Sequence, residues 1–169
     1  MVRHSLRVAS CVVFVLGCLP VERAAAQTPP LLAAGLSLMS DKGTAAGFAV
    51  NASRDLTSGN IGFGPVGDFS LHRDNGVTWT TFGGGVRLSG RPAASSVIPF
   101  GQFLIGASVI SAADAETFLT FTFGGGLHVP IGERLNFLFQ FDLVNARFEG
   151  GSETGKRTTF GISVPLGTR

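Results

Sequence analysis

The sequence predicts an all-β fold: a single eight-stranded antiparallel up-and-down β-barrel that crosses a membrane, preceded by a signal peptide. Three observations predict it. After Gln27, Gly, Pro, Asn and Asp punctuate the chain at short, regular intervals, and the segments between them are rich in Phe, Val, Ile, Leu and Thr, which suit a pleated surface. Those segments alternate, one face apolar and the other polar or glycine. With 24 Gly in 169 residues and no apolar run of helical spacing behind a capping box, long helices are not expected.

Residues 1–26 belong to targeting. Arg3, His4 and Arg7 make a basic start, Val8–Leu19 is apolar but too short to span, and Ala24-Ala25-Ala26 supplies small residues for cleavage after Ala26. Val15-Leu16-Gly17-Cys18 is a competing lipoprotein-like box in which Cys18 would be acylated. The leader carries Arg3, Arg7, Arg23 and Glu22, so its removal takes the formal charge from +2 to zero. The basic balance therefore says nothing about partners, and a charged fraction of 14% argues against nucleic-acid binding. Both cysteines, Cys11 and Cys18, leave with the leader, so residues 27–169, read as one domain, hold together without disulfides.

Eight segments follow. Residues 31–40 and 44–53 flank the Asp41-Lys42-Gly43 turn. Residues 60–72 contain Pro65, which a closed barrel accepts at a rim or bulge, so this strand is expected to be well formed only after it. Residues 77–89 follow Asn75-Gly76, a hairpin turn signal, and set Phe82, Val86 and Leu88 against Thr81, Gly83, Gly85 and Arg87. Residues 97–110 precede a turn at Ala112–Glu116. Residues 117–129 set Leu119, Phe121, Phe123, Leu127 and Val129 against Thr120, Thr122, Gly124, Gly126 and His128. In residues 135–148, Leu135, Phe137, Phe139, Phe141 and Leu143 oppose Asn136, Gln140 and Asp142, with Leu138 the exception. Residues 157–168, after a loop at Glu149–Lys156, set Phe160, Ile162, Val164 and Leu166 against Thr159, Gly161 and Ser163.

Alternation alone fits two structures. A soluble barrel or sandwich turns its apolar face inward; a membrane barrel turns it toward lipid. The polar face favours the membrane, because it holds Thr, Gly, Ser, Asn and Gln and few of the Lys and Glu expected in water. So does strand length: several segments run about 12–14 residues against ~5–6 in soluble sheets. So does a leader without disulfide chemistry. An even strand number lets the sheet close and removes unpaired edges. The residues expected to face lipid are Phe82, Phe121, Phe123, Phe137, Phe139, Phe141, Phe160 and Ile162.

An internal echo supports repeated hairpins: Thr81-Phe82-Gly83-Gly84-Gly85-Val86-Arg87-Leu88 parallels Thr122-Phe123-Gly124-Gly125-Gly126-Leu127-His128-Val129. The stretch from Phe123-Gly124-Gly125-Gly126 through Val129-Pro130 and Gln140-Phe141-Asp142 to Arg147-Phe148 resembles the C-terminal half of the small bacterial outer-membrane β-barrel domain family, the OmpA/OmpX/opacity type. Val66-Gly67-Asp68-Phe69 and Pro99-Phe100-Gly101-Gln102 are similar to its third and fifth strands. The resemblance covers residues 60–168 and, more weakly, 31–59. It implies an outer-membrane location, contact with outer-membrane lipid and insertion by barrel-assembly machinery. The chain departs from the family in ending Leu166-Gly167-Thr168-Arg169 rather than on an aromatic, and in having no Tyr and only Trp79 for girdles.

Motifs that suggest chemistry lack their context. Gly62-Phe63-Gly64-Pro65-Val66-Gly67 matches G-x-G-x-x-G but runs into strand, not helix. Gly150 to Gly155-Lys156 has phosphate-loop spacing, with Arg157 where Ser or Thr is needed. Ser70 and His72 share a face near a loop end, and with Asp74 suggest a rim dyad; a polar pair in water is the plainer reading. His72 and His128 alone do not make a metal site. No catalytic residue, cofactor or metal is assigned.

By parity Asp68, Arg87, Gln102, Asp142 and Arg157 face the lumen, as does Arg147 on condition that its strand stays regular. Opposite charges in a narrow barrel are expected to pair, making a structural plug; charges sitting at wet rims are the alternative. Two functions remain open: a monomeric structural or surface-interaction barrel without catalysis, or a narrow pore or small-ligand barrel, including a soluble periplasmic form. A rim lipid hydrolase stands third.

Overall fold

The computed structural model describes residues 29–41, 43–57, 59–91, 97–111, 115–132, 134–148 and 150–167. The expected signal peptide, its cleavage after Ala26 and Cys18 lie outside these residues. Eight strands follow one another: β1 (Leu31–Ser40), β2 (Thr44–Ser53), β3 (Ile61–Asp74), β4 (Val77–Gly90), β5 (Ile98–Ser111), β6 (Ala115–Pro130), β7 (Asn136–Phe148) and β8 (Gly151–Pro165). Each pairs antiparallel with the next, and β1 pairs with β8 from Leu31↔Pro165 to Ser40↔Lys156, so the sheet closes. Closure leaves no long lateral edge for another chain to pair with.

The two ends differ. At the turn end, β3 and β4 join through Asn75-Gly76, with φ of 46° and 83°. Positive φ at both central residues is the hairpin turn whose twist matches its strands. β7 ends at Phe148 and β8 begins at Gly151, with Gly150 at φ 101° just before it. At the other end lie the start of β1 and the end of β8, where Leu166 N–H donates to the Pro30 carbonyl at 2.6 Å; this is called the terminus end.

Two local expectations are corrected. β8 begins at Gly151, inside the expected Glu149–Lys156 loop, because Phe148↔Gly151 through Asp142↔Arg157 pair without a break. β3 is well formed from Ile61, across Pro65. β2 pairs with β3 only as far as Ser53↔Val66, and the Pro65 carbonyl accepts from Arg54 N–H at 3.2 Å. In an antiparallel ladder the N and O of one residue point to the same neighbour. The missing N–H of Pro65 thus faces the side where the β2 ladder has ended, and the pairing Pro65↔Val86 with β4 loses nothing.

The polarity is inverted relative to a water-soluble barrel. The two largest fully buried side chains are Arg87 and Arg157, while Leu36, Phe123 and Ile162 are among the large apolar residues left exposed. Of the eight residues expected on the outer wall, Phe123, Phe137, Phe139, Phe141, Phe160 and Ile162 are exposed, and Phe82 and Phe121 are half-buried at outward positions. Outer aromatics meet across strands, as Phe103 and Phe123 do with ring centroids 4.6 Å apart. Inside, the apolar cluster is small: Ala33, Phe100 and Leu138.

Candidate functional site in the barrel interior

The interior is built by the period of two. Every second side chain of each strand points inward, and register sets which of them share a level. Arg157 on β8 lies beside Asp142 on β7 because those two residues are register partners. Its Nη2 and Nε donate to Asp142 Oδ2 at 2.8 and 3.0 Å. Its Nη1 reaches across the lumen to Asp68 Oδ1 on β3 at 2.7 Å and to Ser70 Oγ at 2.9 Å. Arg157 is 1% exposed and Asp142 fully buried. Charge-assisted, multiply bonded pairs of this kind are the strong ones, and their hydrogen bonds offset the desolvation, while Asp68 Oδ2 is buried with no hydrogen-bond partner among the described residues.

Arg87 on β4 is the second buried guanidinium, and its hydrogen bonds go to neutral acceptors. Its Nη2 donates to Gln102 Oε1 on β5 at 2.6 Å and to Asn51 Oδ1 on β2 at 3.2 Å, and its Nη1 donates to Ser53 Oγ at 3.1 Å. Gln102 then donates from Nε2 to Asp142 Oδ1 at 3.2 Å, and Gln140 donates to Asp142 Oδ2 at 2.7 Å. Asn51 donates to Gln140 Oε1 at 3.2 Å and closes the circuit. The network holds two arginines and two aspartates and is formally neutral. Its terminus side is capped by Phe100, whose ring lies 4.2 Å below the Arg87 guanidinium and stacks on His128 at 4.8 Å.

Five of the six residues expected in the lumen meet here: Asp68, Arg87, Gln102, Asp142 and Arg157. Arg147 does not. β7 is regular, and an odd separation of five residues from Asp142 puts Arg147 on the opposite face, exposed, with its guanidinium 5.7 Å from the outward Phe121 ring. Asn51 was not placed in the lumen from the sequence, Ser70 was read as part of a rim pair and Gln140 as a polar-face residue; inward parity on their strands is the signal that places all three.

The Ser70–His72 pair is also redrawn. Ser70 accepts from Arg157, while His72 Nε2 shares a 2.9 Å hydrogen bond with Ser37 Oγ, which in turn accepts from Thr159 Oγ1 at 3.0 Å. Ser37 and His72 are both fully buried, and His72 Nδ1 has no partner, so Asp74 does not orient it. A nucleophile–base pair needs a path for substrate and an orienting group; this pair, sealed in the wall, has neither.

Toward the terminus end the lumen opens into a cavity of about 700 Å³ lined by Arg87, Ser89, Arg91, His128, Arg134 and Asn136 among others. Arg91 is ion-paired with Asp55 there. Gly62–Gly67 and Gly155–Lys156 lie in β3 and β8, with no helix behind them to receive a phosphate. Among the described residues no group of three His, Cys, Asp or Glu is placed to hold a metal ion.

No protein-family model matches the chain, and no curated protein does. Solved structures match in fold. The N-terminal β-barrel domain of Pseudomonas aeruginosa OprF aligns with a TM-score of 0.61 at 10% identity, over 83% of this chain and 100% of that one. Neisserial surface protein A aligns with a TM-score of 0.57 at 11% identity, over 81% of this chain and 96% of that one. The outer-membrane enzyme PagL aligns with a TM-score of 0.52 at 12% identity, over 79% of this chain and 99% of that one. At these identities the likeness is one of architecture: the chain has the eight-stranded closed-barrel fold of small outer-membrane proteins, a fold that carries a surface protein and an enzyme alike.

Proposed function

We propose that this chain is an outer-membrane β-barrel protein with a structural or surface-interaction role, a lumen filled by side chains and no catalysis. On this reading residues 1–26 export it and are cut after Ala26, the assembly machinery for such barrels inserts it, and it works as a monomer in contact with outer-membrane lipid.

One observation carries the reading: arginines are sealed inside while phenylalanines and leucines cover the wall. In water that arrangement strands a large apolar surface; in hydrocarbon it is the stable one, since every backbone group of a closed sheet is paired internally. The network of Arg157, Asp68 and Asp142 acts as a plug. Expression with its own leader, followed by fractionation, tests the reading. Detergent-dependent extraction and heat-modifiable gel mobility are expected. Recovery as a soluble monomer without detergent overturns it.

A small-ligand barrel is the second reading, favoured by the 700 Å³ cavity at the terminus end, a volume within the usual range for ligand pockets. The rim hydrolase has the weakest support, because His72 is bonded to a buried Ser37.

A further inference from the structure

The cavity at the terminus end is blind. Seven of the eight strands contribute to its wall, from Leu31 of β1 to Pro165 of β8, and the buried network stops its inner end. The sheet around it is closed. Where the β2–β3 ladder ends at Ser53↔Val66, Arg54 N–H and Leu56 N–H carry the bonding on to the Pro65 and Phe63 carbonyls at 3.2 and 2.8 Å. Lipid therefore has no sideways entry. Arg134 lines the cavity and is exposed, which marks the mouth.

The lining is cationic. Arg87, Arg91 and Arg134 face one acid, Asp55, which Arg91 already holds in an ion pair. Counting Glu133 as well, the sequence neighbour of Arg134 outside the described residues, leaves cations ahead by three to two. Asp68 and Asp142 lie deeper, and both are bonded to Arg157. Arg134 makes no hydrogen bond or ion pair among the described residues. Arg87 has five N–H donors; four are spent on neutral acceptors, and one on Nη1 remains. His128 shares a 2.9 Å hydrogen bond between Nδ1 and Ser163 Oγ, and its Nε2 is buried without a partner. Buried polar groups are normally satisfied, so this wall is short of acceptors. Leu31, Ile98 and Pro165 make an apolar side to the same space.

We infer that this cavity binds a small organic anion, a phosphate or carboxylate on a short apolar body, taken from the aqueous compartment at the terminus end. The inference deepens the small-ligand reading and rests on it. The planar guanidinium fork matches either anion. The anionic group meets Arg134 and the unspent Arg87 donor, and the apolar body lies against Leu31 and Ile98. Because the inner end is stopped, the anion is held rather than passed through.

The full barrel, isotope-labelled and folded into dodecylmaltoside micelles, is titrated with phenyl phosphate and with benzyl alcohol, an uncharged molecule of like body, while its backbone amide resonances are followed. Saturable shifts at Ser53, Ser89 and Asn136 are expected with phenyl phosphate. Benzyl alcohol is expected to bind about ten-fold more weakly, the scale of a hydrogen bond to a charged group. Arg134→Gln, at an exposed position between β6 and β7, is expected to weaken phenyl phosphate by about five-fold, the upper scale of an exposed ion pair, and to leave benzyl alcohol unchanged. Equal binding of the two probes overturns the anion assignment and leaves the small-ligand reading standing. So does an Arg134→Gln variant that binds phenyl phosphate as the wild type does. Shifts confined to turn-end amides such as Arg73 and Arg147 overturn the assignment as well. Binding of neither probe in the cavity overturns the small-ligand reading together with it.

Discussion

Gln102 donates a hydrogen bond to Asp142 although a whole strand lies between them: Gly124 of β6 is the register partner of both. A Cβ at Gly124 would fall on the Asp142 carboxylate and the Phe141 carbonyl. The same device joins Ser37 to His72 across Gly47 of β2. Glycine on the inner face is therefore the space through which second-neighbour strands reach one another.

Gly124→Val is expected to destabilise the barrel by about 1–3 kcal/mol through overpacking. Urea unfolding from lipid vesicles, followed by Trp79 fluorescence, measures it. An unchanged midpoint would show that the network does not depend on that gap.

Arg157→Met leaves two buried carboxylates without their partner, and a loss of about 3–5 kcal/mol is expected. Adding Asp68→Asn and Asp142→Asn removes the stranded charge and is expected to recover a large part of that loss. The same unfolding titration distinguishes the two variants, and a triple variant no better than the single one refutes charge pairing as the cause.

In planar bilayers the wild type is expected to show no steady large conductance, because side chains from six strands meet at the level of Arg157 and Gln102. The variant Asp68→Ser/Asp142→Ser/Arg157→Ser is expected to conduct. A steadily open wild type would exclude the plug.

On the outer wall, Phe123→Arg at the middle of β6 is expected to cost about 2–4 kcal/mol in a bilayer. The reversible unfolding equilibrium in vesicles gives the number directly. A neutral outcome would place Phe123 outside the hydrocarbon.

His72→Ala and Ser37→Ala are expected to leave the lipids of expressing cells unchanged in mass relative to wild type, because the pair is sealed in the wall. An acyl chain lost from those lipids in the wild type only would restore the hydrolase reading.

Much of this architecture was legible because a period of two is a strong signal when one face is greasy. Phe137, Phe139 and Phe141 mark the wall, and Asp142 and Gln140 mark the lumen, with no information beyond the strand itself. The failures came where the signal was weak. Ser152, Glu153 and Thr154 read as loop because β8 is polar on both faces there, beyond the reach of β1. Arg147 was placed in the lumen on condition that its strand stays regular, but in the regular strand its odd separation from Asp142 points it outward. Ser37 and His72 are 35 residues apart, and only the register through Gly47 brings them together, a relation that no local spacing records. Asn51, uncharged, was not placed in the lumen from the sequence, yet its bonds to Gln140 and Arg87 complete the circuit.

The Arg157–Asp68 contact joins residues 89 positions apart, on β8 and β3. Until the last strand has docked, Asp68 has no cation beside it, and a lone hairpin that entered the hydrocarbon early would drag a bare carboxylate with it. Such a chain has every reason to curl up at the water's edge first and to sink as a finished ring, so the order of its birth is written in which strand brings the counter-ion.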